Sequence, residues 1–93
     1  MIRTFADRKA EMLWAGEAPR RLPREIWRVA LRKLTALNGA GALDDLRSPP
    51  ANRLEALAGD QRGQYSVRIN DQWRICFRWR EGDAHDVEIC DYH

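Results

Sequence analysis

Ninety-three residues allow one domain spanning 1–93, because so short a chain buries only about 60% of its unfolded surface and supports one modest core. Sixteen Lys and Arg against fourteen Asp and Glu leave a net charge of only +2, so placement must reveal any polyanion site. Met1–Phe5 is followed at once by charge, with no apolar export segment and no run long enough to cross a membrane, which predicts a cytoplasmic protein.

Met1–Phe5 suits an opening strand. Asp7 is a natural cap for a short helix that runs to about Ala15, buries Met12, Leu13 and Trp14, and stops at Gly16. Pro23 is a natural first residue for a second helix. Its apolar stripe is Trp27, Ala30, Leu31, Leu34 and Leu37, with Arg24, Arg28, Arg32 and Lys33 off the stripe. Asn38-Gly39 ends it. Leu43 and Leu46 anchor a further turn before Ser48-Pro49-Pro50 forbids helix.

The period then changes from 3.6 to 2. Short strands are predicted over Arg53–Leu57 and Tyr65–Ile69, separated by a turn-rich loop from Gly59 to Gly63. Trp73–Arg80 alternates most cleanly, Glu81-Gly82-Asp83 is a hairpin loop, and Ala84–Tyr92 closes the sheet. The predicted fold is α+β: an N-terminal strand and two helices packed on an antiparallel sheet.

Alternation sorts these strands into two faces. Trp73, Ile75, Phe77, Trp79, Tyr65, Val67, Ile69, Val87 and Ile89 form the core side. Arg53, Arg68, Arg74, Arg78 and Arg80 fall on the other side with Ser66, Cys76, Glu55, Asp86 and Glu88. Fourteen of the sixteen cations in the chain are Arg, whose planar fork suits phosphate. A GC-rich genome explains the same bias, and a solvated face with ion pairs such as Arg78–Asp86 explains the same pattern. The alternative is an open groove that binds a phosphate chain. Five arginines exceed three acids there, and the chain ends beside this sheet in Asp91-Tyr92-His93. Histidine exchanges a proton near neutral pH, tyrosine stacks on an unpaired base, and aspartate orients an imidazole. His85 reads as a surface residue. Cys76 and Cys90 lack metal-ligand spacing and read as free thiols.

The segments Arg47-Ser48-Pro49-Pro50, Asn52-Arg53-Leu54-Glu55-Ala56-Leu57, Asn70-Asp71-Gln72-Trp73-Arg74-Ile75-Cys76-Phe77 and Val87-Glu88-Ile89-Cys90-Asp91-Tyr92-His93 resemble the HigB toxins of the RelE superfamily. The resemblance covers roughly the whole chain and is most specific from Ser48 onward. It implies the RelE-type microbial ribonuclease fold and a toxin of a type II toxin–antitoxin system.

The resemblance also implies an endoribonuclease that cuts mRNA in the ribosomal A site and arrests translation, without metal or cofactor. A ribose 2′-hydroxyl attacks the adjacent phosphate, leaving a 2′,3′-cyclic phosphate. By position, Asp91, Tyr92 and His93 match the catalytic terminus and Arg74 a phosphate-facing arginine, with Arg53, Arg68, Arg78 and Arg80 as RNA-binding residues. Some HigB toxins have His and Lys where this chain has Glu55 and Ala58; Glu55 is then the proton acceptor, and Arg53 compensates for the missing Lys. The implied partners are the ribosome, mRNA and a HigA-like helix-turn-helix antitoxin through which operator DNA is reached, with no membrane. Two other readings share the fold: a ParE-like gyrase poison, and a non-catalytic subunit acting as corepressor with its antitoxin.

Overall fold

The computed structural model describes residues 1–57 and 63–91. Ala58, most of the loop expected between Gly59 and Gly63, and Tyr92-His93 lie outside the described residues. Helix α1, Arg8–Trp14, starts where the Asp7 carboxylate accepts the Ala10 N–H at 2.8 Å. Beyond its cap at Ala15 the chain leaves through Gly16, whose φ of +83° is a conformation that side chains disfavour. Leu13 is buried; Met12 and Trp14 are half-buried.

Pro23 leads into a 3-10 turn, Arg24–Ile26, and then helix α2, Trp27–Gly39. Ala30, Leu34 and Leu37 are buried as expected, and the half-buried Trp27 donates its indole N–H to the Leu22 carbonyl at 2.9 Å. Two residues of the expected stripe pattern are corrected. Leu31 is exposed, while Lys33 is buried. The Lys33 ammonium donates to Asn52 Oδ1, which satisfies a charge that would otherwise be costly to bury.

Leu46 anchors a 3-10 turn, Leu43–Arg47. The prolines do not end helical structure, because Pro50 opens another such turn, Pro50–Asn52, where its missing N–H costs nothing. Asn52 is fully enclosed, and its amide group donates to the Leu46 and Ser48 carbonyls at 3.1 and 3.2 Å.

Strands β1 (Glu55–Ala56), β2 (Gln64–Arg68), β3 (Trp73–Arg80) and β4 (Asp83–Asp91) form one antiparallel sheet in chain order. The strand expected over 53–57 shrinks to two residues because Arg53 is left-handed, φ 44°, and cannot extend the ladder. Glu81 and Gly82, both at positive φ, make the two-residue turn between β3 and β4. The opening strand is reduced to two isolated parallel bridges, Ile2 to Ala84 and Phe5 to Val87. These cover the outer edge of β4, and Asp7 continues the cover by accepting the Ile89 N–H at 3.1 Å.

Helix α1 packs on β4, and α2 on β3 and β4. Phe77, Ile75, Val67, Val87 and Ile89 are fully buried beneath them, Ile69 and Trp73 nearly so, and Tyr65 and Trp79 half-buried. The Phe77 ring stacks with Tyr65 at 6.2 Å and meets Trp79 edge-on at 6.4 Å. The observed α+β architecture, helices on one face of the sheet, is the expected one.

Candidate functional site

The opposite face of the sheet is organised in rows by strand register. Arg68, Arg74 and Cys90 form one row; Glu55, Ser66, Cys76 and Glu88 form the next; Gln64, Arg78 and His85 form the third. Successive rows are about 7 Å apart, comparable with the phosphate spacing of an extended nucleic-acid strand.

The centre of this face is not open, which corrects the expectation. Ser66 has no exposed surface, Cys76 has 4% and Arg74 has 8%. Arg74 causes part of this closure. Its Nε donates to Ser66 Oγ at 2.8 Å and its Nη2 to the Arg53 carbonyl at 2.7 Å, so the guanidinium spans β2 and reaches the segment before β1. Glu55 Oε2 lies 3.8 Å from Nη2. Arg74 therefore has a structural task as well as any ligand contact: it fixes the left-handed Arg53, with the Glu55 carboxylate loosely beside it. The Arg53 side chain itself is exposed.

The outer arginines are more accessible. Arg68 is ion-paired with the fully exposed Asp71, Arg78 Nε lies 3.5 Å from Asp86 Oδ2, and Arg80 is exposed at the end of β3. Exposed pairs of this kind are weak and are readily exchanged for a phosphate.

His85, read from the sequence as a surface residue, is half-buried on the arginine face, and a β-bulge puts it there. Phe77 faces both Asp86 and Val87, Asp86 adopts φ 51°, and the residues beyond it exchange sides. Ala84 thereby enters the core, and His85 lies across from Arg78 on the arginine face. With Arg80 and Glu81 it lines a shallow hollow of about 470 Å³. A signal was present in the sequence only as Asp86, a residue type that tolerates the left-handed region.

Asp91 lies at the end of the sheet, as expected; it pairs with Trp73 and so projects on the side opposite Arg74, where Gln72 Nε2 donates to its Oδ2 at 3.2 Å. Tyr92 and His93 follow it in sequence and lie outside the described residues. Cys76 and Cys90 are not joined by a disulfide. Their positions on adjacent strands bring them beside Glu88, a proximity that their spacing in sequence conceals.

Residues 3–93 match the family described as the RelE-like toxin, HigB, of type II toxin–antitoxin systems. The chain belongs to the HigB-like toxin family. It is similar to Toxin HigB-1 of Vibrio cholerae, 40% identical over 85 residues covering 90% of each chain. It is also similar to Endoribonuclease HigB of Proteus vulgaris, 27% identical over 93 residues and the full length of both. The crystal structure of YafQ from E. coli shares the fold, with a TM-score of 0.60 over 98% of this chain and 91% of that one, at 12% identity. As a member of a type II system this HigB-like toxin has an antitoxin partner. Among the described residues, no helix is long and apolar enough to cross a membrane.

Proposed function

We propose that this HigB-like toxin is an endoribonuclease that cleaves mRNA in the ribosomal A site and so inhibits translation. The observation that carries the reading is the pairing of Glu55 with Arg74, a carboxylate 3.8 Å from a guanidinium anchored on Ser66 and Arg53. A base beside a cation is what transfer of a ribose 2′-hydroxyl to its own phosphate requires. The Proteus vulgaris relative, named an endoribonuclease, supports the same chemistry.

In this mechanism Glu55 takes the proton from the 2′-hydroxyl as that oxygen attacks phosphorus. Arg74 and Arg78 stabilise the charge that develops on the phosphoryl oxygens. The bond from phosphorus to the 5′-oxygen breaks, His93 protonates the leaving oxygen, and a 2′,3′-cyclic phosphate remains. Tyr92 stacks on the splayed base. Arg53, Arg68 and Arg80 hold the flanking backbone, and Asp91, tied to Gln72, steadies the strand end rather than moving a proton. No step calls for a metal or cofactor. The antitoxin partner is a HigA-like helix-turn-helix protein that also brings the complex to operator DNA, and the site of action is the cytoplasm.

The test is cleavage of a defined transcript in a translating extract by the wild-type chain, by Glu55→Gln and by a chain lacking Tyr92 and His93. Both variants should fold and lose cutting by about a hundredfold or more, the usual range for removal of a general acid or base. Folded variants that cut as well as wild type would contradict the assignment.

A further inference from the structure

Cys76 is opposite Glu88, and Cys90 is opposite Arg74, so the two cysteines are diagonal neighbours on one face of β3 and β4. The sulfur atoms of Cys76 and Cys90 and a carboxylate oxygen of Glu88 all lie within 4.8 Å of one another. Cys76 is buried, Glu88 and Cys90 are half-buried, and the Cys90 thiol donates to Glu88 Oε1 at 3.0 Å. Diagonal cross-strand residues sit about 7–8 Å apart, beyond the separation of about 4.4–6.8 Å that suits a disulfide.

We propose that Cys76, Glu88 and Cys90 form a binding site for a thiophilic divalent cation of the Zn²⁺ class. An ion about 2.3 Å from sulfur and about 2.1 Å from oxygen needs its tetrahedral donors about 3.5–3.8 Å apart. The three donors reach that spacing with movements of about 1 Å or less, well within side-chain rotation. Two sulfur donors favour zinc over magnesium or calcium, which prefer oxygen, and the fourth position is left for water. Binding requires the ion to displace the protons of both thiols. The ion would tie β3 to β4 in the row that also holds Ser66 and Glu55, with no role in the proposed cleavage.

The experiment is titration of the reduced, chelator-treated full chain with Co²⁺, followed by competition with Zn²⁺. Wild type should develop a thiolate-to-cobalt charge-transfer band that saturates at one ion per chain and is abolished by Zn²⁺, and Zn²⁺ should raise the melting midpoint. Cys90→Ser should bind more than about a hundredfold more weakly, beyond the loss caused by removing an outer partner of a metal site. Glu88→Gln should weaken binding while keeping the band, and carries the comparison if Cys90→Ser does not fold. A wild-type chain without the band, or variants that bind with wild-type affinity, would overturn the proposal.

Discussion

Lys33 of α2 donates its ammonium hydrogen bond to Asn52 Oδ1, across the interior rather than into solvent. Asn52 in turn holds the Leu46 and Ser48 carbonyls, so one amide fixes the turn that delivers Arg53 and Glu55 to the sheet. Asn52→Ala should therefore destabilise the fold by about 2–3 kcal/mol, since it leaves buried groups without partners. Denaturant unfolding measures this, and a loss below about 0.5 kcal/mol would contradict the role.

The same pair makes stability depend on alkaline pH. Burial, then the Arg32 and Arg68 charges, lower the Lys33 pKa from its ordinary 10.5. Over the window below 10.5 the unfolded chain keeps a proton that the folded chain has released, so stability gains as pH rises through that window. Unfolding free energies at pH 8 and pH 10 should shift in favour of wild type relative to Lys33→Met. An identical pH response of the two proteins would contradict the assignment.

The two faces of β3 should separate in mutational effect. Phe77→Ala truncates a fully buried ring and should cost about 3–5 kcal/mol. Arg78→Ala removes a part-exposed cation and should leave melting nearly unchanged while flattening the salt dependence of RNA or ribosome binding by about one unit of slope. Unfolding of the Arg78 variant with wild-type melting of the Phe77 variant would mean that the faces are reversed.

Much of this was legible from period alone. Trp73–Arg80 and Asp83–Asp91 agree with the predicted strands to within a residue or so because alternation and the Glu81-Gly82 turn set both length and register. The family was legible from local blocks such as Asn70-Asp71-Gln72-Trp73-Arg74. What failed were positions decided by tertiary contacts. Lys33 reads as solvated until Asn52 is found beside it, and Arg53 reads as a strand residue until its carbonyl is seen bound to Arg74. A bulge at Asp86, which alternation cannot register, sets His85 on the arginine face and Ala84 in the core. Asp91 pairs with Trp73 and so projects on the side opposite Arg74, a detail that the terminal position alone does not reveal.

Arg74 should not tolerate its nearest chemical relative. A lysine carries charge but no planar fork, so it cannot reach Ser66 Oγ and the Arg53 carbonyl together. Arg74→Lys should therefore lose growth arrest although the charge is kept, whereas Arg80→Lys, at an exposed position, should retain it. Induction of each variant without antitoxin provides the readout, and an equally toxic Arg74→Lys would show that charge alone suffices.

The proposed cleavage depends on the ribosome. Glu55 is 58% exposed and only loosely held by Arg74 at 3.8 Å, so the base is poorly organised until something fixes the RNA beside it. A misplacement of about 1 Å can cost about a hundredfold in rate, and in the proposed reaction the A site would supply the missing order by splaying the codon. Primer extension on one transcript, with purified toxin and with or without translating ribosomes, tests this directly. Cuts within codons are expected when ribosomes are present, with negligible cutting of free mRNA. Equal cleavage in both reactions would contradict it in favour of a free ribonuclease, and no cleavage in either, with DNA supercoiling impaired, in favour of a gyrase poison.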